Sequence, residues 1–286
     1  MTATEAVHGT EATTPNGTHI YYQAAPKRLY KVNDVQVPSV TEVLGVIDKS
    51  GPLIWWGQGV GVEAVIRLIT AGRISKQNGV VLVDTGDGWH DATKDNVVPL
   101  LTEYKLSTNH QRDKAGDRGN SVHKALEAWV ETGLLPDPAF YPEEEQGYVS
   151  GLHFFLSDLK VDKRTKILSE VMVGSAEHGF AGRYDLQVGL AECELFGKKA
   201  VKEVFQKGRW IWDLKTAKSI YDTHFIQLEA YEGASVECGY KETVGRAVVR
   251  VGADGTYEVQ KSRATYQDFL DVKKAYDAVR RVKEAK

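Results

Sequence analysis

Sulfur is scarce in this chain. Its 286 residues include two cysteines, Cys193 and Cys238, and two methionines. Two thiols cannot supply a disulfide scaffold, a four-cysteine zinc site or an all-cysteine iron–sulfur cluster from one chain. Unpatterned thiols suit a reducing compartment, so a cytoplasmic location is expected. Long apolar runs are missing as well. Nothing approaches the roughly 20 consecutive apolar residues of a membrane-spanning helix, and no membrane partner is expected. The segment Met1–Gly17 has neither an apolar core nor a basic start, so it reads as a short frayed arm and not as a signal peptide. Excess charge of one sign is also absent, with 36 Lys and Arg against 39 Asp and Glu, a balance of −3. That excludes a bulk polycation but leaves room for a local basic groove on an acidic body. What remains is an ordinary globular composition, 42% hydrophobic, on a chain long enough for a substantial core.

The two halves differ in texture. Short strands are expected at His19–Ala24 and Arg28–Val32. Ser39 then opens a helix as its N-cap, and Glu42 three residues later suits a capping box. Gly51-Pro52 reads as a break before a second helix from Leu53 towards Ile69. Val80–Asp84 reads as a brief strand, and helices are expected at Asp91–Tyr104, Asn120–Glu131 and Glu143–Asp158. From Lys166 the apolar period becomes two. Strands at Ile167–Val173, Phe180–Val188, Ala200–Phe205 and Arg209–Lys215, punctuated by glycines, suggest an antiparallel meander. A helix from Thr223 to Cys238 follows, then strands at Arg246–Val251 and Tyr257–Gln260 across the turn Ala253-Asp254-Gly255. Ser262 is the expected cap of a last amphipathic helix bearing Tyr266, Phe269, Leu270, Val279 and Val282. The domain reading is an arm, strands and helical elaboration over 1–115, then a core with its C-terminal helix over 116–286, forming one compact unit.

Four segments carry chemistry. In Trp210-Ile211-Trp212-Asp213-Leu214-Lys215-Thr216, strand alternation puts Asp213 and Lys215 on one face and Leu214 on the other. Such a pair is equally a solvated charge pair when taken alone. Gly182-Arg183-Tyr184-Asp185 ends a second strand in a carboxylate that can lie beside Asp213. Two carboxylates with backbone carbonyls suit a hard divalent ion such as Mg²⁺. Gly116-Asp117-Arg118-Gly119-Asn120-Ser121-Val122-His123 places an imidazole one turn into a helix, a ligand better matched to Mn²⁺. Gln227 and Tyr231, four residues apart, share a helix face.

In this order the four segments resemble the RecB-like branch of the PD-(D/E)XK nuclease superfamily. The branch pattern is a helical histidine, a glycine-preceded Asp, (D/E)-x-K on the next core strand and a Q-x-x-x-Y helix. The resemblance spans about residues 116–251. Pro38-Ser39-Val40-Thr41-Glu42-Val43-Leu44 followed by Trp55-Trp56 is also similar to phage-encoded exonucleases of the CRISPR-associated, RecB-like type. Two features depart from those relatives. Cys193 and Cys238 cannot replace the cysteines around their iron–sulfur cluster, so none is expected, and the second acid is Asp213 where Glu is commoner. The resemblance implies an α/β fold with a restriction-endonuclease-like core, a central mixed sheet of about four to five strands flanked by helices, with a helical N-terminal elaboration. The 27 residues between Asp185 and Asp213 imply an insertion around Ala191–Gly208. Its Lys198, Lys199, Lys202, Lys207 and Arg209 could track a phosphate backbone or simply be solvated.

The function so implied is metal-dependent hydrolysis of DNA, from an end, in phage recombination, replication or repair, located in the host cytoplasm if phage-encoded. Asp185, Asp213 and His123, with the Leu214 carbonyl, would hold Mg²⁺ or Mn²⁺. Lys215 would position or deprotonate the attacking water, or stabilise the developing charge. Arg118, Gln227 and Tyr231 would contact single- or double-stranded DNA. Glu170 is either an outer-shell acid or a strand-edge residue. The alternatives are an endonuclease of the same superfamily and an inactive DNA-binding recombination factor. A third is an interaction protein that docks through Trp55 and Trp56. Self-association or a recombination partner is compatible with each.

Overall fold

The computed structural model describes residues 9–25, 28–47 and 50–285. The chain divides into two compact units, one formed by 1–47 with 119–286 and the other by 48–118. Met1–Gly17 is expected as a frayed arm, and its first eight residues lie outside the described ones. The rest of that arm is ordered differently. β1 (Thr10–Thr13) pairs antiparallel with β2 (His19–Gln23), β2 with β3 (Leu29–Val32), and β3 with β4 (Val35–Val37). Asn33 and Asp34 both take positive φ in the two-residue β3–β4 turn, the conformation that hairpin type requires. The expected strand pair is thus the middle of a four-stranded sheet.

Ser39 caps α1 (Val40–Val43) as expected, its Oγ accepting from the Glu42 N–H at 3.1 Å. Glu42 does not complete the box. Its carboxylate instead accepts from the Tyr276 hydroxyl at 2.5 Å.

In the second unit, α2 (Ser50–Thr70) leads to a three-stranded sheet of β5 (Ile74–Gln77), β6 (Val80–Asp84) and β7 (Trp89–Asp91). α3 (Lys94–Glu103) and the start of α4 (Thr108–Thr132) complete it. Gly51 and Pro52 fall in the first turn of α2, where proline's missing N–H has no helical partner to lose. A small core forms from Ala64, Leu68, Val83, Leu100 and Leu106. Trp55 stays 77% exposed on α2.

α4 starts twelve residues before the expected Asn120 (120 − 108 = 12). Interior Gly116 and Gly119 each weaken a helix by about 1 kcal/mol relative to Ala, which is why they resemble a boundary in the sequence.

The first unit is mixed α/β. Its five-stranded sheet has the order β14-β13-β12-β9-β8. The strands are β8 (Leu168–Ser175), β9 (Phe180–Leu190), β12 (Gly208–Lys215), β13 (Gly245–Val251) and β14 (Tyr257–Lys261). A pure meander is not what forms. β12 and β13 run parallel, which needs a crossover, and α6 (Asp222–Glu237) supplies it. β10 (Cys193–Phe196) and β11 (Lys202–Phe205) make a separate hairpin between β9 and β12. On one face, α4 and α5 (Glu143–Asp158) bury Val122, Leu126, Leu152 and Phe155 against Leu186, Trp212 and Leu214. On the other, α1, α6, α7 (Tyr266–Glu284) and the N-terminal sheet cover Tyr184, Ile211 and Val248. Thr265, not Ser262, caps α7, while the Ser262 hydroxyl donates to Glu229. Val279 and Val282 are exposed on α7 and play no part in its packing face. Among the described residues no helix is long and apolar enough to cross a membrane.

Candidate metal centre

Strand register builds the site. The β9–β12 ladder runs from Gly208↔Leu190 to Trp212↔Leu186, and one step further sets Asp213 opposite Asp185. In the β8–β9 ladder, Ser169 pairs with Leu186 and Val171 with Tyr184, so Glu170 faces Asp185 at a step where the pairing is interrupted. Glu170, Asp185 and Asp213 therefore stand at one level across three neighbouring strands. Glu170 has φ +51°, the left-handed region that a non-glycine residue enters at a cost of about 1–3 kcal/mol. Strand alternation slips at the same level. Tyr184 belongs to the cluster beneath α6 and Leu186 to the one beneath α4 and α5, although residues two apart normally share a face. The Tyr184 hydroxyl donates to Gln187 Oε1 at 2.9 Å, as that slip allows.

Around this break the polar atoms converge. Asp185 Oδ2 accepts from the Leu214 N–H at 2.6 Å, and its Oδ1 lies 3.3 Å from His123 Nδ1. Glu170 Oε1 is 3.7 Å from the same nitrogen, and its other oxygen pairs with Arg183. The second ring nitrogen, His123 Nε2, is 3.2 Å from the Leu214 carbonyl. His123, Glu170 and Asp185 offer ligand atoms all within 4.8 Å of one another. Asp213 and Lys215, on one strand face as alternation requires, form the adjoining pair. Lys215 Nζ is 2.9 Å from Asp213 Oδ1 and 2.7 Å from Oδ2. The shorter of these lacks hydrogen-bond geometry, which leaves Oδ2 a buried oxygen with no hydrogen bond.

Electrostatics follow from this crowding. Burial works to lower the His123 pKa, but the Asp185 carboxylate outweighs it and, with Glu170, raises it to about 10. Asp185 moves the opposite way. Burial opposes its ionisation, yet His123, Lys215 and the Leu214 N–H hold it below the usual carboxylate range. Asp213 is lifted to about 6 by burial, with Lys215 pulling down and Asp185 pushing up. Lys215 is raised despite burial, because Asp213 and Asp185 favour its charge. A protonated imidazole and an ammonium thus supply the positive charge that these acids demand.

Gln227 and Tyr231 lie on α6 at the expected four-residue spacing, but both are buried, and Gln227 Nε2 donates to the Tyr231 hydroxyl at 2.6 Å. The Tyr231 ring lies against Gly182, where an added Cβ would fall 2.5 Å from Cε1. The structure gathers Glu170 fully into the cluster. Arg118 is the last residue of the other unit. Lys198, Lys199 and Lys202 sit on the β10–β11 hairpin, where Phe196 packs its ring against Tyr257 of β14. Glu127 was not singled out from the sequence. It lies four residues after His123 on α4, and burial and Glu170 raise its pKa while Arg183 and His123 lower it. The i, i+4 spacing from His123 is the signal that could have found it.

No protein-family model matches the chain, and no curated protein matches it. A solved structure described as "Crystal structure of SSO0001" is similar over 64% of this chain and 69% of that one, at 13% identity and a TM-score of 0.32. A likeness at that level carries no argument about fold or function.

Proposed function

We propose that the chain is a divalent-metal-dependent deoxyribonuclease of the RecB-like PD-(D/E)XK type, built on a restriction-endonuclease-like core and acting from DNA ends. One observation carries the reading: Glu170, Asp185 and Asp213 share a level across β8, β9 and β12, with His123 above Asp185 and Lys215 beside Asp213. The residues fit a hard divalent cation. The donors are carboxylate oxygens, a backbone carbonyl and one imidazole, and Asp213 Oδ2 is a buried oxygen without a hydrogen bond.

Asp185, Asp213 and His123, with the Leu214 carbonyl, would hold Mg²⁺ or Mn²⁺, the imidazole giving up one proton as the cation takes its place beside the acids. When bound, the ion supplies Lewis-acid polarisation of the scissile phosphate and a more acidic water. Lys215, pinned against Asp213, holds its ammonium where the phosphate's developing negative charge is neutralised. Glu170 fixes Arg183 on one side and faces His123 on the other, so it orients both. Gln227 and Tyr231 support the strand from beneath.

End-labelled linear DNA and closed circular DNA, incubated with Mg²⁺, Mn²⁺ or chelator, test the proposal. The expected result is metal-dependent loss of linear DNA, abolished in Asp213→Ala and Lys215→Ala. Chelator-resistant cleavage, or full activity in both variants, overturns it. Circular DNA cut as fast as linear makes the protein an endonuclease.

A further inference from the structure

Tyr22 on β2 and Tyr30 on β3 are a register pair, and their rings lie 4.7 Å apart. Arg28 sets its guanidinium over both, 5.9 Å from one centroid and 5.8 Å from the other. Arg183, from β9, lies 5.3 Å from the Tyr22 centroid. The same Arg183 pairs with Glu170, whose other oxygen faces His123. One guanidinium therefore joins the aromatic pair to the acidic level, within a single unit.

The two cations are not equivalent. Arg183 has its carboxylate in Glu170. Arg28 is exposed, and among the described residues no carboxylate pairs with it. Two guanidiniums near one ring repel each other, and an anion between them relieves that repulsion. Arg28 also engages the Tyr30 hydroxyl, and a guanidinium's five N–H groups leave others for phosphate oxygens.

We infer that Tyr22, Arg28 and Arg183 form a phosphate clamp for the DNA strand beside the scissile bond, with Arg28 as the arm that no carboxylate among the described residues holds. The ligand is the phosphodiester backbone, so the contact is independent of base sequence. The inference rests on the nuclease reading for its biological purpose, but its binding event can be measured without catalysis.

The test uses the full chain in chelator, with fluorescently labelled single-stranded and duplex oligonucleotides titrated at salt from about 50 to about 200 mM. In Arg28→Ala, affinity is expected to fall about five- to tenfold on every sequence, and the slope of log affinity against log salt to drop by about one. Arg28→Lys should restore the slope, because it restores the charge. A change in packing alone does not remove one counterion from that slope. If Arg28→Ala proves misfolded by circular dichroism, Arg28→Gln gives the same readout. Unchanged affinity and slope in a folded Arg28 variant overturn the clamp, as does absence of DNA binding by the wild type. If those variants bind normally while metal-dependent hydrolysis disappears in Asp213→Ala, the clamp fails alone. If the slope drops but no metal supports hydrolysis, the clamp stands and the nuclease reading fails.

Discussion

His123, Glu170 and Asp185 have a compositional counterpart in Glu177, His178 and Glu237, a second histidine with two carboxylates in the same unit. The donor types are nearly the same, but the construction is not. In the first group the side chains are 27%, 18% and 11% exposed, whereas Glu177 is 76% exposed. The first is assembled by register from separate strands and a helix, with a backbone carbonyl and a buried Asp–Lys pair against it. The second joins Glu177 and His178 of the turn between β8 and β9 to Glu237 at the end of α6, and His178 stands 3.9 Å from each glutamate. There the Tyr266 hydroxyl already donates to Glu237 at 2.9 Å, and the His178 N–H to Ser175 Oγ at 2.8 Å. Both groups are tied to their surroundings, but beside the first lies Asp213 Oδ2, a buried oxygen that has an ion pair with Lys215 and no hydrogen bond. Ligand types alone leave the two groups alike; burial separates them.

The largest expected difference between the groups is in activity. Asp185→Ala should lower metal-dependent hydrolysis at least about hundredfold, while Glu237→Ala leaves it unchanged. Rates on labelled linear DNA measure this, and equal losses would erase the distinction. Next comes metal-linked stability. With Mn²⁺ at about a hundred times its Kd, the folded state gains about 2.7 kcal/mol, an upward shift in melting midpoint of about 5 °C or more. Asp185→Ala should lose that shift and Glu237→Ala should keep it. The reverse pattern, read by thermal scanning, moves the metal to the turn.

Smaller effects probe the second group as a structural element. Tyr266→Phe removes the hydrogen bond to Glu237 and should cost about 1 kcal/mol in denaturant unfolding with no loss of activity. Its pH signature has a definite sign. Burial and the Glu237 charge hold the Tyr266 pKa well above the ordinary tyrosine value near 10. The unfolded chain therefore releases this proton first as pH rises. Stability from this group is fully present below about pH 10 and declines above it, through the folded pKa. Wild type should lose stability between pH 10 and 11 faster than Tyr266→Phe does; parallel curves would contradict the assignment.

Legibility in the sequence tracks how local the determining physics is. Asp213 and Lys215 share a face by strand alternation alone, and Gln227 and Tyr231 share one by helical spacing, so both placements are readable from residue order. The closeness of Asp185 to Asp213 depended on β9 and β12 being neighbours, which the glycine-punctuated period suggested. Glu170 resisted reading, because its role comes from a left-handed backbone and an interrupted pair, and no pattern of residue types encodes either. β10 and β11 were half visible, since Cys193–Phe196 is short and sits among charges. Ser262 looked like a helix cap, because capping chemistry is common to many serines. Its hydroxyl goes instead to Glu229, which Arg246 already grips with two hydrogen bonds.

Gly182 links the site to how this chain can change over generations. A methyl group there meets the Tyr231 ring at 2.5 Å and Val40 Cγ2 at 3.1 Å, with Asp185 three residues downstream. A larger residue at 182 must displace the tyrosine whose hydroxyl engages Gln227, and thereby disturb the strand that carries Asp185. Drift at position 182 is then tolerated only alongside a smaller residue at 231. Among relatives of this protein the two positions should vary together or not at all, a mark of shared space legible in aligned sequences without any assay.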